Sequence, residues 1–91
     1  LQPPIRDPDA ARKASAFIAA LGGKANIVRV DACAGTRLRL VVRDANQIRE
    51  ADLKASGIAG VVKLDQGKTV HLLAGLNADQ YAAEMRGQLA A

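Results

Sequence analysis

The chain has 91 residues, of which 49% are hydrophobic and 2% aromatic, and its formal net charge is +4. A chain of this length forms one domain, whose modest core must be filled by Val, Ile, Leu and Ala. One Phe, one Tyr and no Trp argue against a base-stacking surface for single-stranded nucleic acid. No apolar run is long enough for a transmembrane helix. The positive net charge suggests an anionic partner.

The chain begins with the letters LQPP and without a methionine. We therefore predict a piece of a longer polypeptide, with a linker remnant over residues 1–6 and a single domain over residues 7–91. The one cysteine, Cys33, cannot form an internal disulfide. A free thiol fits a reducing compartment and is available for chemistry.

A first helix is predicted between an Asp7-Pro8-Asp9 start and a Gly22-Gly23 end. Between these signals the apolar residues recur at helical spacing: Ala10, Ala14, Phe17, Ile18 and Leu21. Two alternating stretches then predict a hairpin that turns at Ala34-Gly35. Its predicted buried positions are Val28, Val30, Ala32, Leu38, Leu40 and Val42, and its predicted outer positions are Arg29, Asp31, Cys33, Arg37, Arg39 and Arg43.

The second half of the chain repeats this order of elements. A weaker helix is predicted within residues 44–56, with Ile48 and Leu53 as core contacts, and a second hairpin over residues 60–73. Asn77 and Gln80 form a capping-box pattern that opens a last helix with Tyr81 or Ala82, Met85 and Leu89 inward. The predicted fold is an α+β two-layer sandwich of order α-β-β-α-β-β-α, with a four-stranded antiparallel sheet and three helices on one face.

Strand parity places Cys33, Arg37, Arg39 and Arg43 on or near the face that the helices leave open. Guanidinium groups beside a thiol favour its nucleophilic thiolate form, and their fork geometry suits the oxygens of a phosphoryl group. Two simpler interpretations stand beside this one. A lone cysteine is most often a small packing residue, and arginines that alternate along a strand often form only a solvated face.

The spacing from Cys33 to Arg39 also matches the C-x5-R motif of cysteine-dependent phosphatases. That motif wraps phosphate at the start of a helix, whereas these residues lead into a strand, so we expect no phosphatase loop. His71 is a candidate second phosphoryl site on the open face, but we favour a surface histidine without a function, and we expect no metal and no cofactor. The competing class of function is a basic module that binds an acidic protein or nucleic acid.

Three stretches of the chain resemble a known family: LGGKANIVRVDAC over residues 21–33, TRLR over residues 36–39 and GIAGVV over residues 57–62. They resemble the enzyme IIB domain of the glucose and N-acetylglucosamine branch of the bacterial phosphoenolpyruvate-dependent sugar phosphotransferase system. The resemblance runs from about Ala11 to the last helix, and it implies the same order of helices and hairpins.

The resemblance implies that Cys33 is a phosphorylated nucleophile and that Arg37 and Arg39 stabilise the phosphoryl group. It also implies a set of site neighbours: Asp31, Ala34, Gly35 and Thr36. Family members accept phosphate from a phosphohistidine of an enzyme IIA protein or domain and deliver it to a sugar held by a membrane IIC domain. We therefore expect a protein-phosphocysteine–sugar phosphotransferase, itself soluble and monomeric as an isolated domain, within a larger protein at the cytoplasmic face of the cell membrane.

The turn departs from the family pattern. The family usually has one residue between the cysteine and Thr-Arg-Leu-Arg, whereas this chain has Ala34 and Gly35. Because side chains alternate along a strand, one added residue can move Cys33 relative to both arginines. The geometry of this turn therefore distinguishes an active carrier from an impaired regulatory relative.

Overall fold

In the computed structural model, which describes residues 5–91, the elements follow the predicted order α-β-β-α-β-β-α. The helices are α1 (Ala10–Ala20), α2 (Glu50–Ala55) and α3 (Ala78–Ala90), and the strands are β1 (Ile27–Cys33), β2 (Arg37–Val42), β3 (Val61–Leu64) and β4 (Thr69–Leu73). The predicted linker remnant lies largely outside the described residues. None of the helices within residues 5–91 is long and apolar enough to cross a membrane.

The four strands form one antiparallel sheet in the order β1-β2-β4-β3. The two hairpins are joined through β2 and β4, which therefore lie at the centre of the sheet. Leu40 of β2 pairs with Val30 on one side and with Val70 on the other. All three side chains are buried, so this row forms the middle of the face that the helices cover.

The helices pack on one face of the sheet, which confirms the predicted two-layer α+β fold. Phe17 of α1 and Tyr81 of α3 meet edge to face, with ring centroids 5.5 Å apart and an interplanar angle of 87°. The other large buried side chains are aliphatic or Met: Leu21, Leu38, Leu40, Val42, Leu53, Val70, Leu72 and Met85. The predicted weak helix is divided into a short 3-10 turn over Ala45–Gln47 and the α2 helix.

The prediction that Val28 is buried is wrong, because β1 contains a bulge. The register shifts between Ile27, which pairs with Val42, and Arg29, which pairs with Val41. Val28 is the extra residue and is 53% exposed, while Ile27 takes the buried position. The pairing with β2 is regular from Arg29 onward, so the predicted outward placement of Asp31 and Cys33 is unaffected. The prediction that Ala32 is buried is also wrong: it pairs with Leu38, but it is exposed because it lies near the turn on an edge strand of the sheet.

The predicted capping box at the start of α3 is also wrong. The amide oxygen of Gln80 accepts a hydrogen bond from the Asp7 N–H at 2.8 Å, and its NH2 group donates to the Asp7 carbonyl at 2.9 Å. The Asp7 carboxylate accepts hydrogen bonds from Lys13 at 2.6 Å and from the Tyr81 hydroxyl at 2.5 Å. Asp7 thus ties the segment before α1 to both α1 and α3, and α1 itself begins at Ala10.

Asn26 is a buried polar residue with a structural role that the sequence pattern did not indicate. Its side-chain NH2 group donates to the carbonyls of Leu21 at 2.7 Å and Asp44 at 3.0 Å, and its oxygen accepts from the Asp44 N–H at 2.9 Å. These hydrogen bonds join the end of α1 to the segment that follows β2. They hold the end of the domain that lies opposite the β1–β2 turn.

The Asp7 contacts predict a specific dependence of stability on pH. Hydrogen bonds from Lys13, from Tyr81 and from the backbone N–H of Asp9 lower the pKa of Asp7 from 3.8 to about 2. Because the pKa is lower in the folded state, the stabilisation is complete above about pH 4 and is lost as the pH falls toward 2. We expect Asp7→Asn to lower the melting temperature at pH 7, and we expect this difference to shrink between pH 4 and pH 2.

Thermal unfolding followed by circular dichroism measures both effects. Asp79→Asn is the matched control, since the Asp79 side chain is 70% exposed and its only ion pair within residues 5–91 is with Arg6. A difference between wild type and Asp7→Asn that stays constant from pH 7 to pH 2 would contradict the assignment.

Candidate functional site

The β1–β2 turn sets the position of the cysteine. Ala34 and Gly35 have φ angles of +55° and +79°, and with Thr36 they form a three-residue loop. This loop pairs Cys33 directly with Arg37. Because paired residues of antiparallel strands project to the same face, the thiol and the guanidinium group stand side by side on the open face.

The added residue of the turn does not separate this pair. In a chain with one residue fewer, the same cysteine and arginine would flank a two-residue loop, a common short connection between antiparallel strands. The extra residue lengthens the loop from two residues to three and leaves Cys33 opposite Arg37. Gly35 has no heavy atom near the position that a Cβ would take, so only its backbone angle restricts the residue there.

The next row of the open face contains three polar side chains. Arg39 of β2 pairs with Asp31 of β1 on one side and with His71 of β4 on the other. His71 in turn pairs with Val62 of β3. The predicted placement of His71 on the open face is therefore confirmed, and it lies in the strand next to Arg39.

Asp31, the cross-strand partner of Arg39, forms ion pairs with two other arginines. Its carboxylate is 2.7 Å from Arg29 Nε and 3.7 Å from Arg86 of α3. Arg86 also donates a hydrogen bond to the Val30 carbonyl at 2.9 Å. The negative charge of Asp31, the acid nearest to the site, is thus neutralised at the outer edge of β1, away from Arg37.

Arg37 and Arg39 are exposed, and neither makes an ion pair or a side-chain hydrogen bond with any of residues 5–91. Their hydrogen-bond donors therefore remain available to an anion. Arg43 differs from them, because its Nε donates to the Ala25 carbonyl at 3.1 Å. It lies at the opposite end of the sheet from Cys33, so the structure does not bring it to the site.

The turn is anchored through its backbone. The Thr36 carbonyl accepts hydrogen bonds from the N–H groups of Ala74 at 2.9 Å and Gly75 at 3.1 Å. These two residues connect β4 to α3, so the start of the last helix is held at the same end of the sheet as Cys33. The thiol itself is half-buried and unpaired.

In the described part of the chain, two hollows lie beside the site, and neither is lined by Cys33 or Arg37. One has a volume of about 50 Å³ and is lined by Arg29, Asp31, Arg39 and Val41. The other, of about 530 Å³, lies between β1 and α3, with Asp31 and Arg86 in its lining. The first is far smaller than the 300–1,000 Å³ typical of small-molecule sites.

Sequence reasoning missed two residues that complete the surroundings of the site. Arg86 lies on α3, and its approach to Asp31 depends on how that helix crosses β1. His71 was placed on the correct face, but its position beside Arg39 depends on the pairing of β2 with β4. No local pattern contains either contact, because each joins residues that are far apart in the chain.

The site combines a solvent-facing thiol with free arginines on one face of an antiparallel α+β sandwich. This arrangement is typical of a domain that binds anionic groups. A family model described as "phosphotransferase system, EIIB" matches residues 15–48. The chain is 42% identical over 79 residues to the "PTS system N-acetylglucosamine-specific EIIB component" of Streptomyces coelicolor, covering 87% of this chain and 99% of that protein. The chain therefore belongs to the EIIB family of the phosphotransferase system, in its glucose and N-acetylglucosamine branch.

Other relatives are larger proteins. The chain is 41% identical over 73 residues to the N-acetylglucosamine-specific EIICBA component of Klebsiella pneumoniae, covering 80% of this chain and 11% of that protein. It is 47% identical over 66 residues to the corresponding EIICB component of Bacillus subtilis, covering 72% of this chain and 14% of that protein.

A solved domain of the PTS system IIabc component from Clostridium difficile has the same fold. It is 20% identical to this chain with a TM-score of 0.70, and the match covers 89% of this chain and 84% of that one.

The backbone angles of the turn predict opposite effects of two small substitutions. Ala34 occupies the left-handed region, which costs a residue with a Cβ about 1 kcal/mol. We expect Ala34→Gly to raise the free energy of unfolding by up to about 1 kcal/mol and Gly35→Ala to lower it by a similar amount. Urea denaturation measures both variants, and a stabilising Gly35→Ala would show that the turn has another conformation.

Proposed function

We propose that this chain is a phosphoryl carrier in sugar uptake, with Cys33 as the phosphorylated residue. Cys33 accepts a phosphoryl group from a phosphohistidine of an EIIA protein or domain. It passes the group to a sugar of the glucose or N-acetylglucosamine class, bound by a membrane EIIC domain at whose cytoplasmic face the chain works. The N-acetylglucosamine specificity printed for several relatives supports this sugar class.

The observation that carries the proposal is the direct pairing of Cys33 with Arg37 on the solvent-facing side of the sheet. EIIB domains are phosphotransferases, and Cys33, the only cysteine of the chain, presents a strong nucleophile on that face. A guanidinium group beside the sulfur can donate two parallel hydrogen bonds to the oxygens of a transferring phosphoryl group. Arg39, one row further along the same strand, supplies a second set of donors.

The charge balance of the site also supports the proposal. Arg29 and Arg86 neutralise Asp31, the nearest acid, so that it does not occupy the donors of Arg39. The two free arginines can then oppose the negative charge that spreads over the phosphoryl oxygens during transfer. Asp31 and Thr36 act as positioning residues, Asp31 through Arg86 and β1 and Thr36 through its backbone carbonyl at the turn.

The proposed reaction consists of two in-line displacements. In the first, the Cys33 thiolate attacks phosphorus, the S–P bond forms and the N–P bond of the phosphohistidine breaks, with its electron pair returning to the imidazole. In the second, a sugar hydroxyl attacks the same phosphorus and gives its proton to a base outside this chain. The S–P bond then breaks, and the sulfur leaves as a thiolate that is ready for another cycle.

The flat site suits a carrier that docks with two partners in turn. The hollow beside Arg39, at about 50 Å³, is too small to enclose a sugar, which agrees with a sugar that is held by the EIIC partner. The positive face around Arg37 and Arg39 favours an acidic docking surface on the EIIA partner. Such a contact is fast and transient, as the alternation between two partners requires.

Intact-protein mass spectrometry after incubation with phosphorylated EIIA tests the proposal. We expect one phosphoryl group per chain on the wild type and none on Cys33→Ser. His71→Gln is the control, since it removes the other candidate acceptor and is expected to retain the adduct. An adduct that persists unchanged in Cys33→Ser would overturn the assignment.

The arginines are tested separately from the cysteine. We expect Arg37→Lys to slow transfer to the sugar by roughly 10-fold to 100-fold, because lysine keeps the charge but loses the bidentate geometry. Arg39→Lys should show a loss of the same kind. Arg43→Lys is the matched control at the far end of β2, and it should transfer within about twofold of the wild type.

Rates come from single-turnover transfer with EIIC-containing membrane vesicles and labelled sugar. Equal rates for Arg37→Lys, Arg39→Lys, Arg43→Lys and wild type would remove Arg37 and Arg39 from the mechanism.

A further inference from the structure

We propose that His71 is the third cationic group of this site and that it binds a proton more tightly when Cys33 carries the phosphoryl group. The inference rests on the proposed function and extends it to a residue that the sequence pattern left without a role. It makes the charge state of the carrier dependent on pH near neutrality, since histidine is the side chain that titrates there.

The position of His71 carries the proposal. Its cross-strand partner is Arg39, and Arg37 lies diagonally across the same pair of strands. All three side chains point to the open face, and His71 is partly exposed. A phosphoryl group on Cys33 would therefore have Arg37 beside it and Arg39 and His71 along the next row.

The distance is short enough for a measurable interaction. Neighbouring strands lie about 4.8 Å apart and alternate residues of a strand about 6.7 Å apart, so the Cα atoms of Cys33 and His71 are separated by roughly 12 Å. A phosphocysteine and an imidazole that lean toward each other bring their charges within about 8 Å. At low ionic strength, where screening is weak, a dianion at that distance raises the pKa of an imidazole by roughly half a unit to one unit in a water-like medium.

The other groups around His71 do not cancel this effect. Its partner on β3 is Val62, which is apolar, and the helices cover the opposite face of the sheet. Lys63 of β3 faces that covered side and pairs with Glu50 at 3.1 Å. The nearest acid on the open face, Asp31, lies beyond Arg39 and is bound by Arg29 and Arg86.

The phosphoryl group changes the charge that faces His71. A dianion that binds Arg37 and Arg39 offsets their charge and adds attraction for a proton on the imidazole. By linkage, a protonated His71 stabilises the phosphorylated state by the same factor. The equilibrium between phosphorylated EIIA and this chain should therefore shift toward the chain, by roughly threefold to tenfold, as the pH falls through the titration of His71.

Proton NMR tests the proposal directly, because His71 is the only histidine of the chain and its imidazole signals are unambiguous. At low ionic strength, we expect the pKa of His71 to rise by about half a unit to one unit when Cys33 is phosphorylated by EIIA. A difference below about 0.2 unit between the phosphorylated and unphosphorylated forms would overturn the inference, while leaving the carrier function intact.

A second arm separates this inference from the carrier function. Cys33 is modified either with sulfonatoethyl methanethiosulfonate, which adds one negative charge, or with methyl methanethiosulfonate, which adds none. We expect the anionic adduct to raise the pKa of His71 and the neutral adduct to leave it unchanged. If EIIA fails to phosphorylate Cys33 but the anionic adduct still raises this pKa, the carrier function fails and the coupling stands; equal values for the two adducts overturn the coupling.

The matched control moves the histidine along its own strand. Thr69 is the next open-face residue of β4 and pairs with Val41, which places it one row further from Cys33. In the variant that combines His71→Gln with Thr69→His, anionic modification of Cys33 should raise the pKa of the histidine by less than half of the rise seen in the wild type. A shift of equal size at both positions would show that the effect is general to the face and not specific to His71.

Discussion

The register of the β1–β2 hairpin is the constraint on which the site depends. Side chains alternate strictly along a strand, so the thiol reaches the arginine face only if Cys33 and Arg37 are cross-strand partners. A three-residue loop with two residues at positive φ provides that pairing in a chain with one residue more than its family usually has. The loop takes up the added length, and the strands on either side keep their faces.

Charge placement on the open face follows from the same register. The strand pairing places each charged side chain in one row of the sheet. Arg29 and Arg86 form ion pairs with Asp31 at the outer edge of β1. The donors of Arg37 and Arg39 are consequently free in a domain whose other basic groups are often paired. An open, cationic and nearly flat surface is suited to a group that arrives on one protein and leaves on another, because binding a phosphoryl group requires donors more than it requires a cavity.

Most of the fold could be predicted because its signals are local. Period-2 alternation, helix-ending glycines and the turn at Ala34-Gly35 identified the elements and the face of each strand. Predictions failed where a distant group competed with a local one. Gln80 forms hydrogen bonds with Asp7, which lies far away in sequence, and not with the start of its own helix. The bulge at Val28 interrupts the alternation of β1, and nothing in the local sequence indicates it.

The sequence by itself determined that Arg37 and Arg39 share a face, because side chains alternate along a strand, and it predicted Cys33 on or near that face. The structure of the turn decided that Cys33 pairs with Arg37. The tertiary structure alone decided what surrounds them. His71 lies beside Arg39 because β2 pairs with β4, and Arg86 reaches Asp31 because α3 packs across β1. Both contacts are set by how the two hairpins and the helices bury a common apolar face, and that packing involves residues too far apart for any local pattern to encode.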